Sequence, residues 1–300
     1  TVEGDITAPA SLTVKVDTVI NCAAIVKHFA VGDELEKANA ESVRNLIQYC
    51  RDHEATLIQI STASVAGTGD ETLKDHQVTE SQLYVGQLVD NKYVHSKFLA
   101  ERYVLEAAAT GLQAKIMRVG NLMARNQDGE FQLNFQGNSF MNSLKSYKLL
   151  EAFPVTRMSQ PAEFSPIDST AKAVLKLAQS NSEYTVFHPY NNHAIYMADV
   201  IYAMKEYGFS IDIVSEEKFA ECLREKMQDE TIMPALTGIL AYQDNDTDTP
   251  VYGLGTSNQF TTEVLYRLNF VWPVTSEFYI KKAVEALDSL GFFDIQFKAE

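Results

Sequence analysis

Over the first 190 residues, apolar runs of strand length alternate with longer stretches in which apolar positions recur at helical spacing. VDTVINCAA (16–24) reads as a buried strand, DELEKANAESVRNLIQYCRDH (33–53) as a long helix, and ATLIQISTASVAG (55–67) as a second buried strand ending in small residues. A polar loop follows to about residue 90. The next helix carries NKYVHSKFLAE (91–101) and stops at Gly111, a glycine placed as a C-cap. AKIMRVGNLMA (114–124) is a third strand with its exit loop. Buried apolar strands separated by helices need crossover connections, which predicts a parallel sheet and an α/β fold.

From about residue 125 the rhythm changes. RNQDGEFQLNFQGNSF (125–140) is long, polar and aromatic, the composition of a covering or binding loop. FSPIDSTAKAVLKLAQ (164–179) returns to a short strand and a helix, with Asp168 or Ser169 as N-cap. Beyond residue 190 come amphipathic helices at 197–208, 215–227 and 275–291, the second with Ser215 as N-cap and two glutamates at the positive end of its dipole. The pattern predicts one unit from residues 1–125 and 162–190, and a smaller, mostly helical one from 126–161 and 191–300. DNDTDTP (244–250) has the composition of a calcium loop but neither its glycine nor its distal glutamate, and reads as a solvated loop.

Charge narrows the partners. With 25 basic against 40 acidic residues the formal charge is −15, which argues against nucleic acid or an anionic membrane as the main partner. An anionic ligand then needs a local basic pocket. Cys22, Cys50 and Cys222 are far apart and form no metal-binding spacing, which fits a reduced compartment, with Cys22 a small buried hydrophobe at a strand end. No signal peptide or apolar run of membrane-spanning length is present, so a cytoplasmic protein is expected.

Candidate chemistry centres on Tyr93 and Lys97. Four residues apart in a helix, their side chains share a face. In a partly dry site the ammonium favours phenolate and draws the tyrosine pKa below its usual value near 10, which suits proton transfer near neutral pH. Tyr-x-x-x-Lys is common in helices, and its neighbours give it meaning. In chain order stand Asn21-Cys22-Ala23-Ala24 at a strand end, Asn39 in a helix, Ser61-Thr62-Ala63-Ser64-Val65-Ala66-Gly67 at a strand end, the Tyr–Lys pair, and Arg118-Val119-Gly120-Asn121. Parallel α/β sheets bind ligands outside the carboxyl ends of their strands, where Ala24, Thr62 and Gly120 fall. A hydroxyl and a phenol converging on one carbonyl oxygen stabilise an oxyanion, and the phenol can protonate it. His28 and His95 read as surface or packing histidines.

This order resembles the extended short-chain dehydrogenase/reductase family, whose fold is Rossmann-like. STASVAG is similar to that family's SS-x-x-VYG signature, and aligning Val65 and Gly67 puts Thr62 in the hydroxyl position, with Ser61 and Ser64 as alternatives. The resemblance implies a catalytic set of Thr62, Tyr93 and Lys97, with Lys97 also on the nicotinamide ribose. It further implies cofactor contacts from Asp5, Ile6, Cys22, Ala23, Ala24, Asn39, Val119, Gly120 and Asn121. Asn39 either supports a proton-relay water, as its family counterpart does, or satisfies local backbone.

A narrower likeness spans nearly the whole chain. VINCAAIVKHF, STASVAG, YVHSKFLAE, MRVGNLMARNQDGEFQLN and FSPIDSTAKAV resemble the terminal thioester reductase domains of nonribosomal peptide synthetases. The likeness implies NADPH-dependent reduction of an acyl or peptidyl thioester, held on the phosphopantetheine arm of a peptidyl carrier protein, to an aldehyde or alcohol. Residues 1–125 and 162–190 would hold the dinucleotide. The rest would be a substrate-binding and lid domain, with Asn121, Phe131 and Asn134 near the mouth of a channel. An acyl-CoA reductase, a sugar-nucleotide epimerase or dehydratase, a non-catalytic dinucleotide-binding module, and a fragment inactive as it stands for want of its phosphate turn are the alternatives; an intact Thr, Tyr and Lys set speaks against the binding module. The glycine-rich phosphate turn of the family is absent from these residues, and Gly4-Asp5-Ile6 resembles its acidic motif after the third strand. The expectation is about 50 to 70 further residues ahead of Thr1, and a sheet edge at DTVINCAA open to pairing with a second copy. NADPH over NADH rests on the likeness alone.

Overall fold

A computed structural model of the chain describes residues 4–8, 15–26, 32–131, 138–229, 232–236, 239 and 252–294. Two compact units are present: Thr1–Gly120 with Thr170–Tyr190 and Thr249–Val271, and Asn121–Ser169 with Asn191–Asp248 and Trp272–Glu300.

The first unit is built on a parallel sheet of order β1-β2-β3-β4, formed by β1 (Thr18–Asn21), β2 (Thr56–Thr62), β3 (Ala114–Val119) and β4 (Val186–Phe187). Crossover helices connect them, as parallel pairing requires. Between β1 and β2, α1 (Glu34–Glu36) passes through a π turn at Lys37–Glu41 into α2 (Ser42–His53); α3 (Lys92–Ala109) joins β2 to β3. Further helices are α4 (Ser139–Leu150), α5 (Ile167–Ala178), α6 (Met197–Tyr207), α7 (Glu216–Lys226), α8 (Gln259–Arg267) and α9 (Glu277–Ser289). The Rossmann-like α/β class expected from the pattern is the fold observed.

The core of this unit packs Val43, Leu46 and Cys50 of α2 and Leu99, Ala100 and Val104 of α3 with Leu57 and Ile116 of the sheet. Every side chain of β3 is buried, two of them charged. Burial of a charge is tolerable when it is paired. Lys115 donates to the Ser180 hydroxyl and to the Asn181 and Tyr184 carbonyls, and Arg118 to the Glu101 carboxylate. β1 ends the sheet among the described residues, so it is more open than its apolar sequence suggests: Ile20 is 38% exposed. Cys22, read as buried, is exposed for the same reason.

Residues Thr249–Val271 belong to the first unit, whereas the helical pattern had grouped them with the second. Tyr252–Gly253 and Gly255–Thr256 pair with Thr68–Gly69 and Gln77–Val78, ladders too short to leave a periodic signal in the sequence. In the second unit Leu144 and Leu150 of α4, Val200 and Met204 of α6, Phe219 of α7 and Ile280, Val284 and Leu287 of α9 share one core, and Phe131 packs against it. Ser215 caps α7 as expected, its hydroxyl accepting the Lys218 N–H at 3.3 Å. α5 begins at Ile167, so Asp168 lies in its first turn, accepting the Ser169 and Asn126 N–H groups. Among the described residues no helix is long and apolar enough to cross a membrane. His28, Asn134 and residues 244–250 lie outside the described residues.

Candidate active site

Helix α3 starts at a cap that sets the height of Tyr93. The Asn91 carboxamide oxygen accepts the Tyr93 and Val94 N–H groups at 3.0 and 3.2 Å, which places Tyr93 in the first turn and Lys97 one turn later. Lys97 is 5% exposed and its ammonium donates to the Ile60 carbonyl at 3.1 Å. Among the described residues that is its one acceptor, although an ammonium carries three donors. Burial draws its pKa down to about 8, partly opposed by the negative charge of Glu101 and the neighbouring Cys22.

The Tyr93 phenol moves the other way from the expectation. Burial raises its pKa, because desolvation disfavours the phenolate, and the Lys97 ammonium is turned toward the Ile60 carbonyl. A phenol kept protonated is the form a proton donor needs.

Strand β2 delivers the hydroxyl. Thr62 is its last residue and caps a 3₁₀ turn at Ala63–Ala66, accepting the Ser64 N–H at 3.2 Å with the Ser64 hydroxyl 3.1 Å away. The turn closes on Gly67 at φ 66°, where a Cβ would stand 2.3 Å from the Leu88 carbonyl oxygen, so the close approach of two backbones requires glycine there. Ser61 is committed elsewhere: its buried hydroxyl donates to Glu101 at 2.6 Å. Ser64 is exposed.

Of the remaining expected residues, Asp5, Ile6, Cys22, Ala23, Ala24, Asn39, Val119 and Gly120 belong to the first unit and Asn121 to the second. In β1 the Asn21 carboxamide bridges to Gln59 at 2.9 Å and accepts the Ala23 N–H, holding the exit Cys22-Ala23-Ala24, of which Ala24 is half-buried and the others exposed. Asn39 sits in the π turn, buried. Its oxygen accepts the Ile25 N–H at 2.7 Å and its nitrogen donates to the Ile25 carbonyl and the Ser96 hydroxyl. That pattern is the backbone-satisfying role, directed at the loop after β1 and at α3. Val119 pairs with Thr62 across the β2–β3 ladder, and half-buried Gly120 follows it. Asp5 is exposed and holds Thr7; the Ile6 carbonyl accepts from Asn45 of α2. Asn121 opens the second unit, exposed, with its N–H on the Glu163 carboxylate, whose pKa burial pushes up to about 7. His95 is exposed on α3.

A buried ammonium with donors to spare, set where β1, β2 and β3 end, fits the hydroxyls of a nicotinamide ribose. The sequence reading gave no role to Glu101, Ser96 or His188, and used Arg118 only as a landmark. Glu101 was detectable, because it stands eight residues after Tyr93 on the same helix face; so was Arg118, one of two charges inside a mainly apolar strand.

Residues 7–174 match the sequence profile of the NAD-binding family described as male sterility protein. Among solved structures, a thiolation-reductase di-domain from an archaeal non-ribosomal peptide synthetase superposes with TM-score 0.85 at 35% identity, covering 97% of this chain and 62% of that one. The reductase domain of the aureusimine biosynthetic cluster superposes with TM-score 0.80 at 26% identity, over 95% of this chain and 72% of that one. The glycine betaine reductase of Emericella nidulans is 26% identical over 215 residues, 68% of this chain and 16% of that protein. The chain thus spans less than two thirds of the di-domain and under a fifth of the fungal reductase.

Proposed function

Because the chain belongs to the NAD-binding family described as male sterility protein, we propose that it is a nicotinamide-dependent reductase that releases an acyl or peptidyl thioester from the phosphopantetheine arm of a carrier protein. NADPH is the proposed reductant and an aldehyde or alcohol the product. The observation that carries this reading is Lys97: buried, drawn down to about 8, and one turn beyond a phenol that burial keeps protonated. Likeness to the thiolation-reductase di-domain supports the carrier-bound substrate over a nucleotide sugar.

When bound, a nicotinamide cofactor would supply the hydride that reduces the thioester carbonyl carbon. The chain's own residues manage the oxygen. Thr62 gives up its contact with the Ser64 hydroxyl and donates to the developing oxyanion, and Tyr93 donates the phenolic proton. Lys97 would hold the ribose hydroxyls of that cofactor with its unused donors and keep a positive charge one turn from the phenol. Ala23, Ala24, Val119 and Gly120 would line the cofactor with backbone, and Asn39 holds the loop that carries the first two through the Ile25 backbone. Hydride plus one proton convert the thioester into aldehyde and free thiol, and a second hydride and proton give the alcohol.

The test is to offer the chain NADPH with an acyl thioester on a carrier protein or on pantetheine. Free thiol should equal aldehyde plus alcohol, and Tyr93→Phe should lose roughly 10²-fold or more of turnover while keeping dinucleotide affinity within about threefold. A Phe variant with wild-type turnover removes the assignment. Dinucleotide binding without thioester reduction favours the binding-module alternative.

A further inference from the structure

We propose that Glu101 and Arg118 are positioning residues for this site: their buried pair locks the end of β2, and hence Thr62, onto the helix that carries Tyr93 and Lys97. The proposal rests on the reductase reading. Tyr93, Lys97 and Glu101 fall at four-residue steps and so line one face of α3. Glu101 is fully buried and Arg118 is 1% exposed. Both carboxylate oxygens take the Arg118 Nε–H at 3.0 Å, and Oε2 also takes the Nη2–H at 2.7 Å. Oε1 accepts the Ser61 hydroxyl, and Ser61 is the residue before Thr62 and the ladder partner of Arg118. One carboxylate therefore grips β2 and β3 beside the proposed oxyanion donor, two turns from the proposed acid on the same helix.

The guanidinium cannot swing to another partner. Its Nη1 donates to the Gln82 carbonyl at 2.9 Å and to His188 Nε2 at 3.1 Å. His188 Nδ1 donates to the Ser257 carbonyl at 2.6 Å, which leaves Nε2 as the acceptor. A buried ion pair is weak evidence of stabilisation, since apolar replacements of like volume do as well or better. What distinguishes this one is where it lies: it joins the middle of α3 to β2 and β3 one residue before Thr62 and Val119. Its second effect is electrostatic, because the Glu101 charge one turn from Lys97 favours the ammonium against burial.

Glu101→Gln and Ser61→Ala, in the whole chain with NADPH and an acyl-pantetheine thioester, test the proposal. Glu101→Gln should keep KM within about threefold and lose roughly 10- to 100-fold in kcat, the scale of misplacing reacting groups by about 1 Å. The basic limb of its kcat profile should move to lower pH. Ser61→Ala should lower kcat and leave that limb unmoved. Wild-type kcat in both variants overturns the proposal, as does a loss in proportion to the unfolded fraction. Should Glu101→Gln fail to fold, Ser61→Ala decides alone, since it leaves the ion pair whole. Should the wild type reduce no thioester, the reductase reading fails by itself. Titration of Lys97 by NMR of ¹³C-labelled lysine then decides the positioning claim: a lower midpoint in Glu101→Gln supports it, and an unchanged one ends it.

Discussion

Thr62 is the residue whose geometry most constrains the proposed chemistry. Its hydroxyl accepts one hydrogen bond from the Ser64 N–H, which orients it, and makes only a 3.1 Å contact with the Ser64 hydroxyl, which a substrate oxygen can replace. Thr62→Val keeps the β-branched shape and removes the donor; kcat should fall roughly 10²- to 10³-fold, the effect of one lost oxyanion donor, and unchanged steady-state turnover would move the role to Ser64. Lys97 makes a second prediction at this scale. Its folded pKa is about 8 against an ordinary 10.5, so between those values the unfolded chain holds a proton that the folded chain has released, and stability rises with pH across that window. Below pH 8 the buried ammonium costs the folded state roughly 3 kcal/mol, at about 1.4 kcal/mol for each tenfold. Lys97→Met should therefore abolish reduction yet melt no lower than wild type at pH 7 by calorimetry. A clear drop in Tm would mean that the bond to the Ile60 carbonyl outweighs desolvation. Wild-type activity should likewise decline as pH rises through about 8, where the ammonium is lost.

At the scale of elements, the π turn at Lys37–Glu41 directs Asn39 at both the β1 exit loop and α3. Such turns insert one residue into a helix and are frequent at functional sites. Ser96, which receives the Asn39 bond, donates in turn to the Tyr93 carbonyl at 2.7 Å. Asn39→Ala should cost about 1–3 kcal/mol, the scale of unpaired buried polar groups, and weaken dinucleotide binding more than it slows the chemical step. Single-turnover kinetics separate the two: a slowed hydride step at saturating NADPH would restore the relay-water reading. Strands and long helices were legible in the sequence because burial imposes its period on them, and the order of landmarks singled out Thr62, Tyr93 and Lys97, of which Lys97 is tied to β2 through the Ile60 carbonyl. The π turn was not legible, since one inserted residue barely disturbs a helical pattern. The edge position of β1 was expected from the absent glycine-rich turn, although the apolarity of VINCAA by itself reports the side chains and not whether a neighbouring strand is present. The direction of the Tyr93 shift was missed because spacing shows that a lysine is near but not where its ammonium points.

At the scale of the whole molecule, one buried and one half-buried group give the two units opposite responses to acid. In the first unit His188 is fully buried, and desolvation together with the Arg118 guanidinium lowers its pKa to about 4. Below pH 6.5 the unfolded chain takes up a proton there that the folded chain refuses, so this unit loses stability as pH falls, by about 3 kcal/mol once pH 4 is reached. In the second unit Glu163, bonded to Ser165 and to the Asn121 N–H, is raised by burial to about 7 from an ordinary 4.5. Here the folded chain binds the extra proton between those values, so acidification through the same window stabilises. The exposed carboxylates whose pKa values are lowered, such as Asp33 and Asp128, begin to lose their partners only below this range. Amide exchange followed by mass spectrometry at pH 7.5 and 5, corrected for intrinsic rates, should show opening free energies falling in β2 and β3 and rising in α6 and α9. His188→Gln should flatten the first trend and Glu163→Gln the second, each without touching the other. Parallel loss of protection in both units at pH 5 would show that a titration common to the whole chain, and not these two side chains, governs its behaviour in mild acid.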